Sequence, residues 1–436
     1  MTARRLAVKA LMHQEQAGYA NLVLDAELKK CAPPLPARDA AFAARIFYTV
    51  LEYLPLLDHL LDQFSKKPVS KLDAPVRAIL RAGLAQARYM QVPLPAAVNE
   101  SVRLTKAMGK TSAAGMVNAV LRRAAAAPVQ ESDFHDPVER LTVYHCLSRP
   151  VAQLLYAQYG AEAFALAAAL RKRPATAIRV NTLRTTDEQL AQDLRAEGHT
   201  VSAGPWPHAL LVDFQGSPAA GAAFARGDYH VQGLASQFAA LCLQAQPGQR
   251  VLDLCAAPGG KSLTLAQQMK NTGELVSGEV VPGRVALIEK AFSRCGVTCA
   301  RAVRHDATVR PEWGKFDRVL CDVPCSGLGV MAKKPDIRYK DLDGIENLCA
   351  AQRKILQNGA DSLAETGRLV YSTCTVNYQE NEAQVQWFLR ENPGFRLVPP
   401  PVTVPGMASG AYGTLLLPHK TGTDGFFVAV LEKLLT

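Results

Sequence analysis

Two short stretches place a cysteine where a strand should give way to a loop: Asp322-Val323-Pro324-Cys325-Ser326-Gly327 and Tyr371-Ser372-Thr373-Cys374-Thr375. Reactive side chains concentrate at such transitions, and a thiol there becomes a nucleophile when its thiolate is favoured. A small apolar filler is the other reading of either residue, as it is for Cys242 and Cys321 inside apolar runs. Zinc does not fit, because the close pairs Cys295/Cys299 and Cys321/Cys325 lack the spacing of a structural site. A third motif runs from Val251 to Ser262, VLDLCAAPGGKS, a strand that breaks into small residues before a helix. Such a turn lets a ligand reach the backbone, and helix N-terminal amides can face an anionic group. Its spacing is neither G-x-G-x-x-G nor G-x-x-x-x-G-K-[ST], which disfavours dinucleotides and ATP. Glu279 closes the next predicted strand, where a carboxylate can accept from two ribose hydroxyls, and Asp306 follows the third. Either could be an ordinary exposed strand-end acid. Together they suit a cofactor with an adenosine and an amino-acid tail, S-adenosylmethionine.

The elements that must hold these groups follow from the pattern. After about Ala225, short apolar strands alternate with helices, which predicts βαβ units and a mostly parallel sheet with its strand C-termini along one edge. The candidate strands are Arg250–Cys255, Glu274–Val280, Ala300–Arg304, Arg318–Asp322, Arg368–Ser372 and Phe426–Glu432. Residues 1–135 read as an all-helical domain, with apolar residues at three- and four-residue spacing in Leu6, Ala10, Leu11 and in Ile46, Val50, Leu54, Leu57, Leu61. Pro33, Pro34 and Pro36 end one helix before another begins, Pro93 and Pro95 do the same, and Ala124 to Pro137 reads as the linker. Residues 136–225 combine a helix over Val151 to Leu170, a strand over Ala177 to Asn181 and a helix over Thr186 to Gly198, a small α/β subdomain; residues 226–436 form the domain with the chemistry.

Composition narrows the class. The 436 residues are 48% hydrophobic and 20% charged, an ordinary globular range that excludes disorder and collagen-like repetition. No window approaches eighteen consecutive apolar residues and ten cysteines are too few for a disulfide scaffold, so a reduced, cytoplasmic protein without a membrane span is expected. The net charge of +10 suggests an acidic partner, nucleic acid first, with ordinary solubilising charge as the alternative. Residues 1–135 hold 18 Lys and Arg against 11 Asp and Glu, so most of that charge lies in the first third. Candidate phosphate contacts are Arg77, Arg81, Arg103, Lys106, Arg122 and Arg123, each with a solvated helix face as its default reading, then Arg171, Lys172, Arg173 and Arg179, with a strand-flanking solubility cluster as the alternative.

Two resemblances sharpen these readings. PAAVNESVRLTKAMGKTSAAGMVNAVLRR (Pro95 to Arg123) and the earlier ARDAAFAARIFYTVLEYLPLLDHLLDQF resemble the NusB family of helical RNA-binding domains. VLDLCAAPGGKS, DVPCSGLGV, YSTCTVNYQENEAQVQWFL and LPHKTGTDGFFVAVLEK, in that order, resemble RNA (cytosine-5) methyltransferases of the RsmB (Fmu/Sun) type. The resemblance implies an α/β, Rossmann-like, S-adenosylmethionine-dependent methyltransferase domain, preceded by a NusB-like helical domain and a small RNA-binding subdomain. Its substrate would be a cytosine of 16S ribosomal RNA, free or within an assembling small subunit, and the enzyme would work as a monomer without a metal. Because C5 of cytosine is a poor nucleophile, the ring must first accept a thiolate at C6. The resemblance assigns that attack to Cys374, adduct release to Cys325, and contact with the cytosine or orientation of the site to Asp322. It assigns cofactor binding to Cys255, Ala256, Ala257, Pro258, Gly259, Gly260, Lys261, Glu279, Arg284, Asp306 and Asp322. Lys261 is a candidate cation for favouring the Cys374 thiolate. Gly233 stands where that family generally has an acid, Val323 where alanine is commoner, and Glu279 where aspartate is frequent. Competing readings are the same chemistry on another RNA such as tRNA, a methyltransferase of DNA or protein, and a non-catalytic RNA-binding assembly factor.

Overall fold

The computed structural model describes residues 2–15, 20–172 and 174–434, so Arg173 among the candidate phosphate contacts lies outside the described residues. The chain divides into two compact units, Met1–Ala167 with Lys334–Asp341, and Ala168–Lys333 with Leu342–Thr436.

The first unit is helical. Ala3–Gln14, Ala20–Lys29, Ala37–Asp62, Ala74–Tyr89, Leu94–Ala107 and Ala114–Ala126 are its main helices up to residue 126. Thr2 caps the first by accepting from the Arg5 amide. Pro95 sits in the first turn of its helix, where its missing N–H is not needed, so that helix begins earlier than the proline spacing suggests. Ala37–Asp62 is long and apolar enough to cross a membrane by length and composition, although it has no unbroken apolar run of that length. In this unit that surface is a packing face: Ile46, Phe47, Val50, Leu57, Leu60 and Leu61 are fully buried. The helix kinks at Tyr53, just before Pro55, and Leu54 is only half-buried while Leu56 and Leu57 are buried. The single helix expected over Val151 to Leu170 is two, Arg149–Tyr159 and Glu162–Ala169, because Gly160 takes a positive φ of 56° and ends the first.

The compact unit that contains residues 1–135 runs on to Ala167 and takes in Lys334–Asp341. The Arg338 carbonyl accepts from the Ser148 amide at 2.8 Å. The Lys340 carbonyl accepts from Ser148 Oγ and the Leu51 carbonyl from the Tyr339 hydroxyl, both at 2.5 Å. Arg338 itself is completely buried. Local periodicity cannot reveal a partnership between segments this far apart in the chain.

The second unit holds two sheets. The smaller, ordered β2-β3-β1-β4, comprises β1 (Thr176–Val180), β2 (Thr200–Ala203), β3 (Ala209–Asp213) and β4 (Tyr229–Val231), all pairing antiparallel. The helix Asp187–Ala196, capped by Thr186, packs Leu190 and Leu194 with Ile178, Val180 and Leu210 of these strands. The larger sheet contains β5 (Arg250–Asp253), β6 (Glu274–Glu279), β7 (Ala300–Arg304), β8 (Phe316–Asp322), β9 (Leu363–Thr373), β10 (Phe395–Val398), β11 (Ala408–Gly410), β12 (Gly413–Leu416) and β13 (Phe426–Lys433). Its order is β11-β12-β13-β9-β8-β5-β6-β7, with β10 on β13. Strands β5 to β9 pair parallel, and β13 joins β9 antiparallel. Leu252, Val276, Val319, Leu369 and Val370 are fully buried, as expected where helices cover both faces of parallel strands. From β5 the chain steps outward to β6 and β7, then returns to β8 on the other side of β5. That reversal opens a crevice outside the C-terminal ends of β5 and β8.

The tail motif closes this edge from behind. Gly425 N donates to the Gly329 carbonyl at 2.8 Å, and Gly329 N donates to the Cys374 carbonyl at 3.0 Å. A Cβ on Gly329 would lie 1.9 Å from the Gly425 oxygen, an impossible distance against backbone. Gly329→Ala should therefore destabilise the second unit by about 1–3 kcal/mol, the usual range for overpacking. Thermal unfolding measures this, and an unchanged midpoint would mean that the two loops do not touch.

Candidate active site

Adjacent parallel strands β8 and β9 are in register with Asp322 opposite Ser372, so the loops leaving their ends begin side by side. Cys374 follows β9 directly and Cys325 follows β8 by three residues. Their sulfurs lie 3.0 Å apart, and the Cys374 amide donates to Cys325 Sγ at 3.3 Å. Both side chains are partly buried. The hydrogen bond to Cys374, then burial, hold the Cys325 thiol well above its ordinary range.

Asp322 ends β8 with both oxygens engaged: Oδ1 accepts from Ser372 Oγ at 2.7 Å and Oδ2 from Lys261 Nζ at 2.7 Å. The Lys261 ammonium pairs with Asp322 and lies over the Phe426 ring at 5.1 Å. The small-residue turn runs from Cys255 to Gly259, whose φ of 102° requires glycine, into the helix Gly260–Gln268. Cys255, Ala256, Ala257, Pro258, Gly260, Lys261 and Asp322 line a cleft of about 190 Å³ together with Gln232, Ser236 and Asp253. Neither Cys325 nor Cys374 is among its lining residues; Asp322 links the cleft to the thiol loops.

Asp253, at the end of β5, was not singled out by the sequence. It is fully buried, with Oδ2 accepting from Ser262 Oγ at 2.7 Å and Oδ1 lacking a hydrogen-bond partner. Burial, reinforced by the Asp322 charge, pushes its carboxyl up to about 7. The signal available in the sequence was its place as the acid before the small-residue turn.

Glu279 ends β6, Arg284 lies in the first turn of the helix Pro282–Cys295 and Asp306 follows β7, all outside the lining of that cleft. Glu279 is 5% exposed; Oε1 accepts from the Val281 amide at 2.9 Å and Oε2 faces the Arg284 guanidinium at 3.2 Å. Arg284 also donates to the Ala257 carbonyl at 3.1 Å, which ties the β6 end to the turn. Asp306 is exposed and bonded to the amide and hydroxyl of Thr308, which hold its carboxyl below the usual range. The space over Gly233 is taken by the Asp424 carboxylate, paired with Lys333 at 2.5 Å; a Cβ on Gly233 would meet both. These groups fit S-adenosylmethionine: an unpartnered buried oxygen and a Lys261/Asp322 pair suit a zwitterionic tail, Glu279 suits a ribose, and the turn spares room for both.

The candidate phosphate contacts divide. Arg103, Lys106, Arg122, Arg123 and Lys172 are exposed. Arg77 and Arg81 are engaged with Glu15, and Arg81 also with Asp58. Arg179 is buried on β1 at 3% exposure, where it cannot reach a phosphate backbone.

The buried Asp253 carries a pH prediction. Its folded-state value lies above that of an unfolded aspartate, so its contribution to stability is fully present below about pH 4 and lost as pH rises through about 7. Asp253→Asn mimics the protonated form and should flatten the fall in stability across that window, read as denaturation midpoints at pH 5 and pH 8. An identical pH dependence in both proteins would show that Asp253 does not titrate there.

Comparisons with known proteins agree with this geometry. Residues 240–432 match the family described as 16S rRNA methyltransferase RsmB/F, residues 1–126 the NusB family, and residues 151–217 a ferredoxin-like domain described as RsmF/B-like. A Synechocystis protein named "Probable ribosomal RNA small subunit methyltransferase B" is 34% identical, over 99% of this chain and 100% of its own. The Xanthomonas campestris ribosomal RNA small subunit methyltransferase B is 32% identical, over 94% of this chain and 93% of its own. Among solved structures, PH0851 is similar with a TM-score of 0.80 and 26% identity, over 99% of this chain and 98% of that one.

Proposed function

The chain belongs to the ribosomal RNA small subunit methyltransferase B family, and on that premise we propose that it methylates C5 of a cytosine in 16S ribosomal RNA through a covalent bond from Cys374 to C6. The observation that carries this reading is the pair of sulfurs 3.0 Å apart at the ends of two parallel strands, with Asp322 between them and the cofactor cleft.

S-adenosylmethionine, when bound, supplies an electrophilic methyl group on a sulfonium and leaves as a neutral thioether. The chain's own residues do the rest. The Cys374 thiolate forms a bond to C6, and the displaced C5=C6 electron pair becomes the nucleophile at C5. Once C5 carries the methyl group, its proton passes to a base, the double bond re-forms, and the C6–S bond breaks to return the Cys374 thiolate. One proton is released per turnover. Cys325, a protonated thiol beside that sulfur, assists the departure by donating a hydrogen bond to the leaving thiolate. Asp322, fixed by Ser372 and Lys261, orients the site, and Lys261 neutralises it. The turn from Cys255 to Lys261 would hold the cofactor, Glu279 and Arg284 would bind its ribose, and Asp306 would stand at the rim. We assign RNA docking to residues 1–135 and 136–225 and catalysis to residues 226–436.

Cys374→Ser should abolish transfer of labelled methyl groups to 16S RNA, and full activity would overturn the nucleophile assignment. Cys325→Ala should leave protein–RNA adduct visible as a shifted band in a denaturing gel; the absence of that band during turnover would remove its role in release. RNA affinity should fall steeply with salt as phosphate contacts release counterions. A flat response in a filter-binding titration would show that the exposed basic residues are not the docking surface.

A further inference from the structure

One buried carboxylate ties the two thiol loops together. Glu380 is completely buried in the short turn Tyr378–Glu380, between the Cys374 loop and the helix Glu382–Glu391. Its Oε2 accepts from the Ser326 amide at 2.7 Å and from Gln352 Nε2 at 3.1 Å. Its Oε1 accepts from Ser326 Oγ at 2.5 Å and from Asn377 Nδ2 at 3.1 Å. All four contacts are uncharged donors, which satisfy the hydrogen-bonding capacity of a buried carboxyl group that has no cation beside it.

The partners are distributed over both loops. Ser326 is the residue after Cys325, and Gln352 Nε2 also donates to the carbonyl of Pro324, the residue before it, at 2.9 Å. Asn377 is three residues beyond Cys374. Ser326 Oγ, its proton committed to Glu380, accepts from Thr375 Oγ1 at 2.7 Å, so the residues following the two cysteines are bonded to each other as well. The Glu380 carbonyl accepts from the Tyr371 hydroxyl at 2.6 Å, which fixes the turn to β9.

We propose that Glu380 is a positioning residue for methyl transfer: by accepting from both loops at once it holds the Cys325 and Cys374 sulfurs within hydrogen-bonding distance of each other. This rests on the roles given above to the two thiols. Glu380 is shielded from substrate, so it acts through the cysteines. Its charge works in the same sense, as a lesser cause, after the Cys374 bond, burial and the Cys374 charge, of the upward shift of the Cys325 thiol. Removing it should loosen the spacing and blur the difference between the two sulfurs.

Glu380→Gln keeps the shape but turns one acceptor oxygen into an amide donor, leaving at least one of the four donors unmatched. With 16S transcript and labelled S-adenosylmethionine, kcat should fall about tenfold or more while the KM for RNA stays within about twofold. A second readout uses the protein alone: iodoacetamide labelling followed by peptide mass analysis. The wild type should label Cys374 about tenfold faster than Cys325, and Glu380→Gln should bring the ratio below about threefold while the melting temperature stays close to that of the wild type. A folded variant with the wild-type labelling ratio and kcat overturns the proposal, as does activity lost only in proportion to folded protein. Should Glu380→Gln fail to fold, Ser326→Ala, which removes one acceptor bond and the link to Thr375, carries the test, and an unchanged ratio there overturns it. Labelling needs neither RNA nor cofactor. A wild-type protein that shows the selectivity but transfers no methyl group would therefore sink the reaction assigned above while leaving the role of Glu380 in thiol spacing intact.

Discussion

The in-register pairing of β8 with β9 is the constraint on which the rest depends. Parallel pairing places Asp322 opposite Ser372, and both chains leave the sheet at the same edge in the same direction. A one-residue slip would turn the side chains of a strand to the opposite face, and the Ser372–Asp322 bond would be lost. The thiol spacing is a consequence of that register. The loops need little length to meet because their starting points are already neighbours, and hydrogen bonds among Ser326, Thr375 and Glu380 remove the freedom that remains.

The same edge concentrates acids in a region with little water. Asp253 and Asp322 end adjacent strands, and Glu380 lies below the thiol loops. Each is accommodated differently. Lys261 neutralises Asp322, burial drives Asp253 toward its protonated form, and Glu380 is surrounded by neutral donors. One cation among three carboxyl groups leaves the region biased toward positively charged ligands, which suits a sulfonium carrying an ammonium.

Much of this was legible in the sequence, and for local reasons. Strands β5, β6, β8 and β9 carry short apolar runs (Val251-Leu252, Leu275-Val276, Val319-Leu320, Leu369-Val370) that lead into distinctive residues, so their C-terminal ends, and with them Cys325, Cys374, Glu279 and the small-residue turn, could be placed in advance. Strands β10, β11 and β12 have four residues or fewer, too short for a periodic signal. Gly160 looks unremarkable in sequence, yet its backbone divides a helix. Lys261 was read from charge alone, and its pairing with Asp322 across the strand edge had no signal in the sequence. Arg179 lies close to other basic residues in the chain, but its burial on β1 takes it out of reach of any phosphate. Glu380 had no signature of its own, because its importance comes from donors contributed by Ser326, Gln352 and Asn377, which only the fold assembles.

The excursion of Lys334–Asp341 into the helical unit bears on how such a protein can change over time. A guanidinium wholly enclosed among helices is supplied by a stretch 193 positions downstream of the carbonyl it meets at His145. The helical portion is therefore not a detachable cassette in the linear gene. Any exchange of the front half between relatives must bring its eight-residue plug along, or leave an arginine-shaped void in one parent's bundle and an ill-fitting side chain in the other's. Ancestry along this chain should then be traced in two discontinuous pieces that are inherited together.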